Sequence, residues 1–414
     1  MHLSKIRHIV LSKIYALRVM SYNQIYEFVF KENNQKQSTC EEIVKKMVAE
    51  GLLEKIGTPK TTAKYFIAKA GIKALKEHGI IPIGKTEAMF PEHFHTASKI
   101  KIKEVYCNHQ LALNQFVLEF ERIYKGRDME YLDELYMASA FTNIRPDGLL
   151  RLDNTYYFLE MDMNTERKQR LNSKWENYRQ FVLSREYDEI SQNIKVLFIL
   201  GGNVGSRSAR VYNLRSYIMQ NISHLLSKKF DVIVNTKNNL FSYIHKQDTE
   251  SSQVKEYFEN AGYMVSQKNF TDASLLGYTF DHYALVSENN AVKMQDGIAL
   301  EFLIDDFSVG SMYVMQKINM HYQYNDKFLH DKKRDIKYIV VVDSMYDALK
   351  IEQILEMTNE NIYYTTIERL KRVPFHEALF KISNGESYHF TKDSLKVPIY
   401  EGKITNELKT KRGF

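Results

Sequence analysis

The sequence predicts a mixed α/β (α+β) chain, with a small helix-rich module ahead of two successive α/β halves. Three observations carry that expectation. Residues 4–49 space their apolar side chains at helical period and are followed by two short alternating segments. Residues 148–162 read as strand, turn, strand between helical stretches, and a comparable order recurs over residues 278–365.

In the N-terminal module, Ile6, Ile9, Val10, Ile14 and Leu17 form the apolar stripe of a first helix. Ser21 precedes a second as its N-cap. Ser38 and Thr39 ahead of Glu41 and Glu42 have capping-box spacing, which opens a third helix through Ala49 and stops it at Gly51. Leu52 to Ile56, a turn at Gly57-Thr58-Pro59-Lys60, and Ala63 to Ile67 complete a hairpin. Three helices and a hairpin make a winged helix-turn-helix over residues 1–80. On it Gln37, Lys45 and Lys46 are placed for a DNA major groove, and Lys60 and Lys64 on the wing for phosphates. Residues 1–80 hold fourteen Lys/Arg against seven Asp/Glu, a surplus larger than the +6 of the whole chain, so the basic character sits at this end. A module that docks another protein is the alternative reading.

Residues 81–103 lack periodicity, contain Pro82, Gly84 and Pro91, and read as a linker. The next domain, 104–245, begins with a helix marked by Leu111, Leu113, Phe116, Val117, Phe120 and Ile123. Then Asn143 to Leu152, a turn at Asp153-Asn154, and Tyr156 to Asp162 form a hairpin carrying acids. Glu160 and Asp162 are two apart on one strand and share a face, and the turn brings Asp147 alongside. Three clustered carboxylates repel unless a divalent cation sits between them, so Asp147, Glu160 and Asp162 are the candidate ligands for Mg²⁺ or Mn²⁺, an ion able to activate water at a phosphodiester. Ordinary solvent-facing strand acids are the alternative.

Pro146-Asp147, Glu160-Met161-Asp162 and the helix after them resemble a PD-(D/E)XK nuclease core. With Thr165-Glu166, Lys174 and Tyr178 behind a winged helix, the order over residues 4–200 resembles the replication-relaxation family, which includes the MOBC-type relaxases. That resemblance implies DNA processing on plasmids or conjugative elements, with origin recognition and a metal-dependent nick in one strand. Asp162 stands where the nuclease pattern has lysine, so Lys174, with Lys168 second, is the candidate to supply the basic group. Glu119 and His109 on the preceding helix are weaker candidates. Tyr178, one of 28 tyrosines, is a weak candidate nucleophile. His93-Phe94-His95 has the form of another relaxase motif in a loop context. Gly201 to Gly205 lacks the Gly-Lys-Ser/Thr ending of a nucleotide loop and reads as a tight turn.

Strand Ile194 to Leu200, helix Ala209 to Leu226 and strand Phe230 to Asn235 continue the α/β order. In the second half, 246–402, Asp281 is expected at the place of Asp147 and Glu301 at that of Glu160. Proline is absent before Asp281, and Leu303 or Ile304 replaces the third acid, so this half reads as a degenerate nuclease-like repeat. Residues 403–414 form a basic tail. Cys40 and Cys107 fit neither a disulfide scaffold nor a zinc site, and no apolar run suits a signal or membrane helix, so a cytoplasmic protein is expected. The leading expectation is a Mg²⁺- or Mn²⁺-dependent DNA endonuclease of relaxase type. Its partners would be double-stranded origin DNA and conjugation or replication machinery, with a homodimer left open. The alternative is a non-catalytic origin-binding or regulatory protein on the same scaffold.

Overall fold

The computed structural model describes residues 4–57, 63–81, 96–163, 168–201, 207–249, 251–266, 278–288, 291–292, 294–295, 298–307, 310–320, 334–344, 348, 362–373, 375–383, 386–389 and 397–398. The turn with Lys60, the His93-Phe94-His95 loop, Thr165-Glu166, residues 202–205 and the basic tail lie outside these, as does the side chain of Lys168. The chain divides into two compact units, Met1–Ile194 and Lys195–Phe414.

The first unit opens with α1 (Lys5–Leu17), β1 (Met20–Ser21), α2 (Tyr22–Ile25, continued by one π turn through Phe30), α3 (Gln37–Ala49), β2 (Leu53–Ile56), β3 (Lys64–Ile67) and α4 (Lys69–Glu77). The three strands form an antiparallel sheet in the order β1-β3-β2. Ser21 caps α2 through a full capping box with Gln24, satisfying an otherwise orphaned N–H at each end of the box. The box expected at Ser38/Thr39 is not formed. The third helix begins at Gln37 with Lys36 as an N-cap that makes no side-chain bond, so both hydroxyl residues lie inside the first turn.

The expected linker does not hold this module apart from the rest of the unit. Part of it forms α5 (Ala97–Ile100). The fully buried Asn114, on α6 (Cys107–Ile123), donates to Leu17 O at 2.9 Å and Val19 O at 2.6 Å, satisfying the carbonyls at the end of α1. Arg18 ends α1 with φ 69° and is buried; its Nε donates to Ile100 O at 3.2 Å and its Nη1 to Glu134 at 2.8 Å. Gln24 reaches Leu111 O at 2.8 Å. Polar side chains thus lock the helical module onto α6.

Beyond α6 come β4 (Met129–Asp133), α7 (Glu134–Ala140), β5 (Gly148–Leu152), β6 (Thr155–Asp162), α8 (Lys168–Val182), β7 (Asn193–Leu200) and β8 (Phe230–Thr236). Strands β4, β5 and β6 pair antiparallel in that order, and the division between units falls within β7. The β5–β6 hairpin closes on Asp153 and Asn154, with Asp153 at φ 48°. That left-handed step suits a two-residue turn, and Asp accepts it at low cost.

The second unit continues with helices 237–249 and 251–260, β9 (Tyr263–Ser266), β10 (His282–Glu288), β11 (Ala291–Val292), β12 (Met294–Gln295), β13 (Ile298–Phe307), a helix over 312–320, β14 (Arg334–Val342) and β15 (Ile362–Thr365). Three short strands, β16 (Phe380–Ser383), β17 (Glu386–His389) and β18 (Val397–Pro398), extend the same sheet. Val254, Phe258, Ala284, Phe302, Ile304, Ile339 and Val341 form one of its apolar cores. Among the described residues no helix is long and apolar enough to cross a membrane.

Candidate functional site

The hairpin places the acids. Gly148 pairs with Leu159, and the backbone N–H of Asp147 donates to Leu159 O at 2.9 Å, so Asp147 stands across from Glu160. Its Oδ2 accepts from the Met161 N–H at 2.7 Å. A Cβ built on Gly148 would lie 2.9 Å from the Tyr131 ring and 3.3 Å from Leu132 O, so close packing of β4 on β5 demands glycine directly after Asp147.

Glu160 is 3% exposed, and its two oxygens are divided between partners on α8. Lys174 Nζ donates to Oε2 at 2.7 Å and the Tyr178 hydroxyl donates to Oε1 at 2.8 Å. Burial pushes the Glu160 carboxyl up to about 7; Lys174 pulls it down and the charge of Asp147 pushes it up. Burial and the adjacent Glu160 charge drive the Tyr178 hydroxyl well above its ordinary range, so it holds its proton and donates to Glu160. On α6, His109 Nε2 lies 3.0 Å from Met161 O and 3.3 Å from Asp147 Oδ2. Burial works against its charged form, but the hydrogen bond and charge of Asp147, with the Met161 carbonyl, hold its pKa above the usual value.

Glu160, Lys174 and Tyr178, but not Asp147 or His109, line an open cavity of about 390 Å³ together with Arg145, Arg170 and Asn177. Sequence reasoning passed over the last three. The signal was present, since Arg170, Lys174, Asn177 and Tyr178 recur at helical spacing along α8 and Arg145 directly precedes Pro146-Asp147.

Asp162 corrects the expectation of three converging acids. It is 1% exposed and does not line the cavity, and among the described residues no three His, Cys, Asp or Glu side chains are gathered to hold a metal ion. Strand alternation puts Asp162 on the face of Glu160 but about 7 Å further along, past the end of β5. Sharing a face is not sharing an ion. Glu119 accepts from Gln115 Nε2 on its own helix at 2.7 Å and is absent from the cavity lining. In the N-terminal module Lys45 and Lys46 are exposed on α3, Lys46 paired with Glu42 at 2.7 Å, and Lys64 is half-buried on β3.

In the second unit the strand register corrects another expectation. Glu301 pairs with Leu285, whereas Ile304 pairs with His282; the residue across from Asp281 is therefore Asp305, not Glu301.

Fold and site together define a mixed α/β protein with a buried carboxylate–lysine pair at a cation-lined cavity. Residues 11–197 match the family model described as replication-relaxation. No curated protein matches the chain.

Proposed function

We propose that this protein is a metal-dependent DNA strand-nicking protein of relaxase type, acting at a plasmid or conjugative-element origin. The replication-relaxation match over residues 11–197 supports a role in replication or relaxation of plasmid DNA. The observation that supports the finer reading is that Asp147 stands across the hairpin from Glu160, which with Lys174, Arg145 and Arg170 lines one cavity.

The donor set suits Mg²⁺ or Mn²⁺, which commonly take one or two protein carboxylates and complete their shell with water and substrate phosphate. Asp147 and Glu160 would hold the ion, with the Met161 carbonyl and His109 beside them. Asp162 is not needed. Glu160, raised by burial and by the charge of Asp147, would be drawn to its ionised form by a divalent ion, which when bound would supply Lewis-acid stabilisation of phosphoryl charge. The chain's own side chains do the rest. Lys174 orients Glu160 and offers positive charge to a phosphodiester in the cavity, Tyr178 fixes the other carboxylate oxygen, and Arg145 and Arg170 bind flanking phosphates. The N-terminal helices and hairpin act as a winged helix that brings origin DNA to the site, with Lys45, Lys46 and Lys64 on backbone phosphates.

Nicking of supercoiled origin DNA with Mn²⁺ tests this reading. Asp147→Asn is expected to lower the nicking rate at least about a hundredfold, a loss typical of removing a group that stabilises charge in the transition state, while leaving DNA binding intact. Unaltered nicking discards the site. DNA binding by a wild-type chain that never nicks selects the origin-binding alternative.

A further inference from the structure

Residues 97–106 hold three lysines, Lys99, Lys101 and Lys103, against one acid, Glu104, and end on Val105 and Tyr106. The fold sorts them by side. Ile100 and Ile102 are buried, Ile102 in one cluster with Val19, Phe66 and Cys107, while the three lysines are exposed. Val105 and Tyr106 lie on a single helical turn, Glu104–Tyr106, that runs directly into α6, and they are 77% and 59% exposed.

That exposure belongs to a fixed backbone. Arg18 Nε donates to Ile100 O at 3.2 Å, and Lys103 O accepts from the Tyr106 N–H at 2.9 Å and from Cys107 Sγ at 3.6 Å. Two adjacent apolar side chains held out in water on a packed segment make a contact patch. Lys101 pairs with Glu54 of β2, but among the described residues Lys99 and Lys103 have no acidic partner, and the ring and hydroxyl of Tyr106 have no partner either.

The patch adjoins the candidate site. Tyr106 and Val105 precede His109 by three and four residues, one helical turn or about 5 Å along the axis, and His109 Nε2 lies 3.3 Å from Asp147 Oδ2. At its other end the strip meets the N-terminal module, through Lys101 on Glu54 and Ile102 beside Phe66 of β3. Cations and one aromatic ring thus lie between that module and Asp147.

An open aromatic face beside lysines matches an unpaired nucleic-acid strand, whose backbone follows the positive charge while a base stacks on the ring. Duplex DNA has its base faces covered by their neighbours. A protein partner fits less well, because lysine is depleted where proteins meet. We propose that Val105 and Tyr106, with Lys99 and Lys103, form a platform for single-stranded DNA leading to Asp147, Tyr106 stacking on a base and the lysines meeting phosphates. That the strand is DNA rests on the function proposed for Asp147 and Glu160.

Anisotropy of a labelled oligothymidylate titrated with the full chain in EDTA tests the platform without any metal. Tyr106→Ala should weaken binding about tenfold, the loss of one stacked base, and Tyr106→Phe, which keeps the ring, should stay within about twofold of the wild type. Measured beside a duplex of equal length, the ratio of single-strand to duplex affinity should fall by the same factor in Tyr106→Ala. Lys103→Ala should lower the salt slope by about 0.7. Wild-type oligothymidylate binding by Tyr106→Ala, or an equal loss on both DNAs, overturns the platform. So does self-association of the wild type that Tyr106→Ala abolishes while its single-strand affinity is kept. Nicking is read separately. Asp147-dependent nicking alongside single-strand binding that ignores Tyr106 overturns the platform and leaves the nicking site standing. Wild-type nicking by Asp147→Asn alongside Tyr106-dependent binding does the reverse.

Discussion

Replacing Lys174 with methionine isolates the buried pair at the cavity, because methionine keeps most of the volume and removes the charge. Glu160 titrates near 7 in the folded chain against 4.5 for the ordinary group. Between those values the folded state holds a proton that the unfolded chain has lost, so stability falls as pH rises across that window. The fall amounts to about 3 kcal/mol. Above about pH 7 it stops in the wild type, because the ionised carboxylate meets Lys174. In Lys174→Met that lowering influence is gone, the Glu160 pKa rises further, and the fall continues. Below about pH 6 the two proteins should differ only by one hydrogen bond, about 1 kcal/mol. Each pH unit above 7 should widen the gap by about 1.4 kcal/mol until the variant's own pKa is passed. Trp175 is 1% exposed, its ring centroid is 5.7 Å from that of Tyr178, and its fluorescence in urea titrations from about pH 5 to 9 reads this region directly. A gap that is flat with pH, or widest in acid, refutes the assignment of the Glu160 shift.

Other outcomes rest on single contacts. Gly148→Ala should cost about 1–3 kcal/mol in urea denaturation, since its Cβ would press on Tyr131, and should lower nicking by displacing Asp147. Asn114→Leu should cost about 1–3 kcal/mol, by removing the Asn114 donor from the Val19 carbonyl and leaving Leu17 O with only the Val19 N–H. His109 should titrate above its ordinary 6.5 by NMR and fall back in Asp147→Asn. Its stabilising charge is fully present below 6.5 and lost as pH rises through the folded value. Arg170→Ala should weaken DNA binding evenly across sequences and reduce the salt slope by about one, as for one lost phosphate contact.

Some of this was legible from the chain alone. Helical spacing locates α1 and α6, Ser21 as an N-cap marks α2, and the Asp153-Asn154 turn settles the β5–β6 hairpin. A two-residue turn leaves only one register, so Asp147 and Glu160 could be paired without coordinates. Residues 289–297 between β10 and β13 impose no such constraint. Alternation there was compatible with Glu301 or Asp305 opposite Asp281, and only the ladder of backbone hydrogen bonds selected Asp305.

Local pattern sets which face a side chain takes; distance along that face, and what packs above it, are set by elements remote in sequence. Periodicity by itself determined the order of helices and strands, the basic N-terminal end and the acids of the first hairpin. Tertiary structure alone decided that Asp162 stays out of the cavity, that Lys174 and Tyr178 divide the oxygens of Glu160, and that Asn114 joins the N-terminal module to α6. Those outcomes turn on where a helix docks across a sheet, which is governed by the packing of whole apolar faces rather than by any short run of residues.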